Sequence, residues 1–148
     1  MIFAVCSDEI HPVNDFVIEE LKLRGHEVIC FGALVSRKDE DWAKTARKAA
    51  EAIIRGECEE GIFFCWTGTG ISMAANKVPG IRAALCTDAE TAKGARIWNH
   101  ANVLALSNRL TTPDLAKEIL SAWLDTPADE RGSKSVASVN EIDRDYRR

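Results

Sequence analysis

The stretch FFCWTGTGIS, residues 63 to 72, decides how this chain is read. Phe63, Phe64, Cys65 and Trp66 form a short apolar run of strand character. The Thr67-Gly68-Thr69-Gly70 turn interrupts it, and ISMAANK, residues 71 to 77, has the small residues of a helix. Strand, glycine turn and helix meeting within so few residues indicate a parallel α/β sheet, whose ligands gather outside the carboxyl ends of the strands. The Cys65 thiol is therefore expected at such an end, beside the free N–H groups of a helix start.

Apolar runs of strand length recur on both sides: IFAVCS (2–7), EVICFG (27–32), GIFFCW (61–66), IRAALC (81–86) and NVLALS (102–107). They are continuous where a half-exposed strand would alternate, which predicts five buried strands. Helical spacing fills the intervals, with Val13, Phe16, Val17 and Leu21 in the first, Trp42, Ala46, Ala49 and Ile53 in the second, and Ala89, Ala92, Ala95 and Ile97 in the fourth. Alternation of this kind predicts a doubly wound, Rossmann-like three-layer α/β/α sandwich on a five-stranded parallel sheet with right-handed crossovers. Gly25, Gly56 and Pro79-Gly80 close the first three helices, and Thr112-Pro113 opens another through Trp123. The whole chain, 1–148, reads as one domain. Its segment 126–148 reads as a turn-rich stretch and a helical tail, spaced by Val136, Val139 and Ile142, that docks on a partner subunit.

With 46% hydrophobic residues and a net charge of −4, the chain has material for a core but no basic face for nucleic acid. Its apolar runs fall well short of the roughly 20 residues of a membrane span, and no basic region precedes the first of them. A cytoplasmic protein with neither nucleic-acid nor membrane partner is expected. Five cysteines, Cys6, Cys30, Cys58, Cys65 and Cys86, are odd in number and lack CxxC spacing. Reduced thiols, with neither a disulfide framework nor a zinc site, are expected.

Cys65 either packs as a small hydrophobe, as strand cysteines commonly do, or works as a base. At a strand end the N–H groups behind it favour a thiolate and can hold an oxyanion, the combination needed for proton transfer beside a carbonyl. TGTG lacks both the dinucleotide fingerprint and the GK[ST] of a P-loop, so nucleotide binding is disfavoured. SDEIH places Asp8, Glu9 and His11 after the first strand, facing the same crevice if strands one and three are neighbours. IWNHANV places Trp98, Asn99 and His100 before the fifth strand. Helix caps and solvated turns are the alternative reading of these polar groups, but all three clusters are expected to converge on one end of the sheet.

Taken together, these residues resemble the ribose-5-phosphate isomerase B family, which includes the two subunits of galactose-6-phosphate isomerase. The likeness is carried by Ser7-Asp8, by Asp41, by CWTGTGISMAANKVPGIRAAL from Cys65 to Leu85, and by NHANVLALSNR from Asn99 to Arg109. The resemblance implies an aldose-ketose isomerase acting on a sugar or sugar phosphate through a cis-enediolate, without metal or cofactor. It also implies a homodimer or dimer of dimers with its active sites at the subunit interface. Cys65 would be the base, the N–H groups from Trp66 through Gly68 and Thr69 to Gly70 would stabilise the enediolate oxygen, and the Thr67 hydroxyl would lie nearby. Asp8, Asn99 and Arg109 would bind the sugar or support the site.

Four departures from the family pattern bear on the substrate. The usual Asp-His is Asp8-Glu9, the ring-opening histidine is Trp98, and the glycine after the catalytic cysteine is Trp66. Of two arginines that reach the phosphate, Arg131 matches the first, whereas Ser135 stands at the second, with Lys134 adjacent. A substrate other than ribose 5-phosphate is therefore expected: shorter, already open-chain, or unphosphorylated. His11 and His100 are candidates for the missing acid or ring-opening role. A non-catalytic relative that binds a small ligand or joins a mixed oligomer, and a thiol redox enzyme, remain the alternatives.

Overall fold

Side chains leave a strand alternately to its two faces, and in a computed structural model, which describes residues 1–147, this alternation divides the core in two. The strands are β1 (Ile2–Ser7), β2 (Glu27–Gly32), β3 (Glu60–Cys65), β4 (Ala83–Leu85) and β5 (Val103–Ser107). All four pairings are parallel, in the order β2-β1-β3-β5-β4. The helices are α1 (Pro12–Leu23), α2 (Ala33–Ser36), α3 (Trp42–Ile54), α4 (Thr69–Ala75), α5 (Ala89–Asn99), α6 (Pro113–Asp125) and α7 (Ser133–Tyr146), with one 3-10 turn at Glu130–Gly132. Phe3, Val5, Ile62, Phe64, Leu104 and Leu106 face α1, α5 and α6. Ala4, Cys6, Phe63, Cys65, Val103 and Ala105 face α3 and α4. The expected doubly wound sandwich is present, and Cys65 belongs to its α3/α4 side.

Two strand expectations are corrected. The run at 27–32 forms an edge strand, with Ile29 41% exposed, because only β1 pairs with it. The run at 81–86 yields only three strand residues. There the Asn76 side chain accepts from Ala83 N–H at 2.7 Å and donates to Ala83 O at 3.0 Å, satisfying backbone groups on the outer edge of β4, which pairs only with β5. The helix α2 was not anticipated from sequence. The tail is helical as expected and rests partly on α5 through Val136, whereas Val139 (48%) and Ile142 (60%) stay exposed. Arg148, its last residue, lies outside the described residues.

At the amino end of the sheet, Arg96 of α5 pairs with Glu60 of β3 at 3.0 Å, both side chains being 12% exposed. Arg96 also donates to Ala101 O and Thr126 O and lies over the Trp123 ring, whose N–H bonds the other Glu60 oxygen at 2.8 Å. Removing one member of such a pair strands the other charge. Arg96→Ala is expected to lower unfolding free energy by about 3–5 kcal/mol in urea titrations. Arg96→Met with Glu60→Gln should cost less than Arg96→Met alone.

Candidate active site

The switch in strand order falls between β1 and β3, since the chain leaves β1 for β2 on one side and enters β3 on the other. Such a switch opens a crevice at the carboxyl ends of the two strands. Ser7 pairs in register with Phe64, so the Asp8–His11 segment and the Cys65 turn emerge side by side. Cys65 is 4% exposed. Its Sγ accepts a hydrogen bond from Gly68 N–H at 3.2 Å, because the turn doubles back over the sulfur. Gly68 has φ +80°, and a Cβ there would come within 2.5 Å of Leu85 Cδ1 and 3.1 Å of the Leu106 carbonyl carbon. Only glycine meets both demands. Thr69, Gly70 and Ile71 open α4, leaving first-turn N–H groups without intrahelical partners. The Thr67 and Thr69 hydroxyls share a hydrogen bond of 2.7 Å.

A buried polar chain frames this turn. His11 N–H donates to Asn14 Oδ1 (2.8 Å), Asn14 Nδ2 to Asn108 Oδ1 (2.9 Å), Asn108 Nδ2 to Ser7 Oγ (3.1 Å), and Ser7 Oγ to Glu9 O. Asn108 N–H bonds Cys65 O at 2.8 Å, and Ser107 Oγ and Arg109 N–H both bond Trp66 O. Glu9 pairs with His11, Oε1 to Nε2 at 3.3 Å, and the His11 ring lies 5.5 Å from the Trp66 ring. Asp8 has a buried Oδ1 with no hydrogen-bond partner. Burial first, then Glu9, pushes its carboxyl above the ordinary 3.8. The Arg109 side chain is exposed, and among the described residues no salt bridge holds it.

The expected convergence of all three clusters on one sheet end is corrected. Residues that precede a parallel strand must sit at its amino end, and Trp98, Asn99 and His100 close α5 there. Arg82, just before β4, donates to Asn99 O and His100 O at 3.1 and 3.0 Å. His100 is the left-handed C-cap of α5, φ +46°, with Nε2 2.7 Å from Asp129 O. Arg131 sits over Trp98, 5.8 Å from the ring, and is gripped by both Asp129 carboxylate oxygens. Exposed Lys134 follows in the first turn of α7. Within one chain, Asp8, Glu9, His11, Cys65 to Gly70 and Arg109 thus form one half, and Trp98, Asn99, His100, Arg131 and Lys134 another at the opposite end.

Four residues of the carboxyl-end half were not singled out from sequence as site residues: Asn14, Ser107, Asn108 and Trp42. Asn14 carried a signal, being a polar residue on the apolar face of α1, where it is fully buried. Trp42 packs its six-membered ring over Gly70, where a Cβ would sit 3.0–3.2 Å from the indole. It was read only as part of a helix face. Burial pushes the Cys6 thiol well up and the Cys86 thiol up to about 12, in keeping with their packing role. Cavities of about 610 Å³ beside β2 and α3 and about 490 Å³ between α4 and α7 do not reach Cys65. No helix among the described residues is long and apolar enough to cross a membrane.

Residues 2–142 match the family model described as Ribose/Galactose Isomerase. A D-erythrulose-4-phosphate isomerase of Pectobacterium atrosepticum is 39% identical over 130 residues, covering 88% of this chain and 84% of that protein. Ribose-5-phosphate isomerase B of Escherichia coli is 43% identical over 108 residues, covering 73% and 72%. Among solved structures, ribose-5-phosphate isomerase B of Clostridium thermocellum superimposes with a TM-score of 0.93 at 41% identity, over 99% of this chain and 100% of that one.

The partly buried Asp8 carboxyl, one of whose oxygens lacks a hydrogen-bond partner, has a consequence for stability. Its folded-state pKa lies above the unfolded value, so its favourable contribution is complete below the ordinary carboxylate range and is lost as pH rises through the folded value. Asp8→Asn is expected to raise the melting temperature at pH 7, with a gain that shrinks below about pH 4. Thermal melts of both proteins across pH 3 to 7 check this; a gain that is constant with pH would exclude titration of Asp8 as its cause.

Proposed function

The chain belongs to the ribose/galactose isomerase family, and we propose that it interconverts the aldose and ketose forms of a short, open-chain sugar phosphate through a cis-enediolate, with Cys65 as the base. The observation that carries this reading is the placement of Cys65 at the switch-point crevice, its sulfur facing the Gly68 N–H and its turn opening a helix. A base next to preorganised N–H donors is what abstraction of a hydrogen beside a carbonyl requires. Thr67 and the turn N–H groups from Trp66 to Gly70 serve the enediolate oxygen. Asp8 and Arg109 bind or support the sugar.

The substrate class follows from the residues that depart from the family pattern. Trp98 stands where a ring-opening histidine is expected, and a relative of 39% identity is named for erythrulose 4-phosphate. A four-carbon sugar phosphorylated on its terminal oxygen has no hydroxyl placed to close a five-membered ring. It therefore needs no ring opener, and Trp66 and Trp98 narrow the space for a longer chain. The protein operates in the cytoplasm on this reading.

The two half-sites at opposite ends of the sheet support a homodimer, or a dimer of dimers, in which the Trp98–His100 corner, Arg131 and Lys134 of one subunit meet the Cys65 crevice of the other. Arg131, oriented by Asp129, and Lys134 then bring positive charge toward the phosphate. Trp98 in place of the histidine favours one rival reading, a relative that binds a sugar-like ligand without turnover.

Proton NMR in deuterated water, with aldoses, ketoses and their phosphates of three to six carbons, separates the two. Turnover of a four-carbon phosphate with exchange of the hydrogen next to its carbonyl is expected, and Cys65→Ser should lower both by about 100-fold or more. Silence across the panel from folded protein would leave the binding-only relative. For the assembly, mixing inactive Cys65→Ser and Asn99→Ala chains should restore about a quarter of normal activity, since half the dimers then hold one intact site. No restoration after subunit exchange would rule out sites shared between subunits.

A further inference from the structure

We propose that His11, positioned by Glu9, is a catalytic residue that carries a proton between the two reacting oxygens of the substrate. The proposal rests on the isomerase reading above and concerns the half of the chemistry that Cys65 does not perform. Conversion of an aldose to a ketose moves two protons, one from C2 to C1 and one from the oxygen on C2 to the oxygen on C1. A single thiol poised at carbon accounts for the first.

Most groups with a labile proton at the carboxyl end are committed elsewhere. Ser7 and Ser107 donate to backbone carbonyls. The Thr67 and Thr69 hydroxyls share one hydrogen bond, which leaves one proton to donate toward the enediolate oxygen, but an alcohol is too weak an acid to give that proton up. Asp8, given to the sugar in the reading above, has one carboxyl oxygen buried away from the crevice's solvent. His100 lies at the other end of the sheet with Nε2 bonded to Asp129 O. His11 is different. Its side chain is 26% exposed and that of Glu9 40%, their contact is 3.3 Å, and the imidazole rests against Trp66, the residue after Cys65, with the rings tilted by 36°. The polar chain through Asn14, Asn108 and Ser7 starts at His11 N–H and ends at Glu9 O, so both members are anchored by one network.

In the step this implies, the Cys65 thiolate takes the hydrogen from C2, and the carbonyl π electrons move onto the oxygen of C1. Imidazolium His11, its Nε2–H held by Glu9, gives its Nδ1 proton to that oxygen, leaving a neutral enediol. Neutral His11 then accepts the proton of the C2 oxygen while the Cys65 thiol returns its proton to C1. Both residues end as they began, and no other reagent is consumed. Glu9 orients the imidazole and balances its charge in the first stage.

The test follows D-erythrose 4-phosphate in deuterated water, with D-ribose 5-phosphate as a second aldose, and measures exchange at C2 and ketose formation separately. In His11→Gln, conversion should fall about 10²- to 10⁴-fold while exchange falls much less, because the enediolate still forms and returns to aldose. Glu9→Gln, which keeps the ring in place, should change the ratio of exchange to conversion in the same direction by a smaller factor. Added imidazole should restore part of the conversion lost in His11→Ala. Equal loss of exchange and conversion in folded His11→Gln, or conversion at the unaltered rate, overturns the proposal while leaving Cys65 as the base. If the unaltered protein exchanges neither aldose, or Cys65→Ser exchanges as fast as it, the isomerase reading fails and this proposal fails with it.

Discussion

Asn108 is the group on which the geometry of the carboxyl end depends. It is 9% exposed and joins three strand ends and a helix start: its N–H holds Cys65 O, its amide oxygen receives Asn14, and its amide nitrogen reaches Ser7. In a low-dielectric setting a polar chain of this kind is favourable only when each member is paired, and the pairing is directional from His11 N–H to Glu9 O. The loop after β1 cannot move without breaking that chain. The turn after β3 is fixed by the same residue through Cys65 O and by its neighbours Ser107 and Arg109 through Trp66 O. A base acting at carbon, the role proposed for Cys65, would need this rigidity, since a displacement of the order of 1 Å can cost about 100-fold in rate.

The topology then imposes a second constraint. A helix that joins two parallel strands must run from the carboxyl end of the sheet to its amino end, and α5 carries Trp98, Asn99 and His100 away from Cys65. No adjustment of loops within one chain reunites them. The Arg96–Glu60 pair, the Arg82 bonds to Asn99 O and His100 O, and the Arg131–Asp129 pair hold this distant corner. A rigid corner far from its own thiol would suit the shared site proposed above.

Much of the fold was legible because burial writes itself into composition. The runs at 2–7 and 27–32 match β1 and β2 residue for residue, and alternation of strand and helix implied the parallel sheet. Strand order was not legible, and the exposure of β2 follows from order alone. The capping of β4's outer edge by Asn76, seven residues before Ala83, whose side chain imitates a neighbouring strand, was not legible either. At the site, Cys65 and its glycines were readable from the turn they make. Asn108 was not, since an asparagine after an apolar run looks like any loop residue until its three partners are placed. The error about which end holds His100 came from spacing read without direction: residues after a strand and residues before one lie at opposite ends.

Charge decides what enters the crevice. Asp8 and Glu9 stand side by side there, and Asp39 adds to the field that raises Asp8. A dianionic phosphate brought near them meets repulsion that, in a partly desolvated cleft, amounts to several kcal/mol at contact distance. On the isomerase reading, the reacting end of the substrate carries no charge until the enediolate forms, and there the Glu9–His11 pair, in the role proposed for it, would supply a proton where bare carboxylates would oppose the transition state. On the reading proposed above, the phosphate would point away from β1, toward Arg109 and toward the partner's Arg131 and the partner's Lys134. Such a polarity, reacting carbons against the Asp8–His11 loop and anion against the far cations, sets a fixed length between thiol and phosphate site. It would also turn the Glu9 carboxylate, which stands where the resemblance leads one to expect a histidine, from a loss of affinity into a means of orienting the substrate.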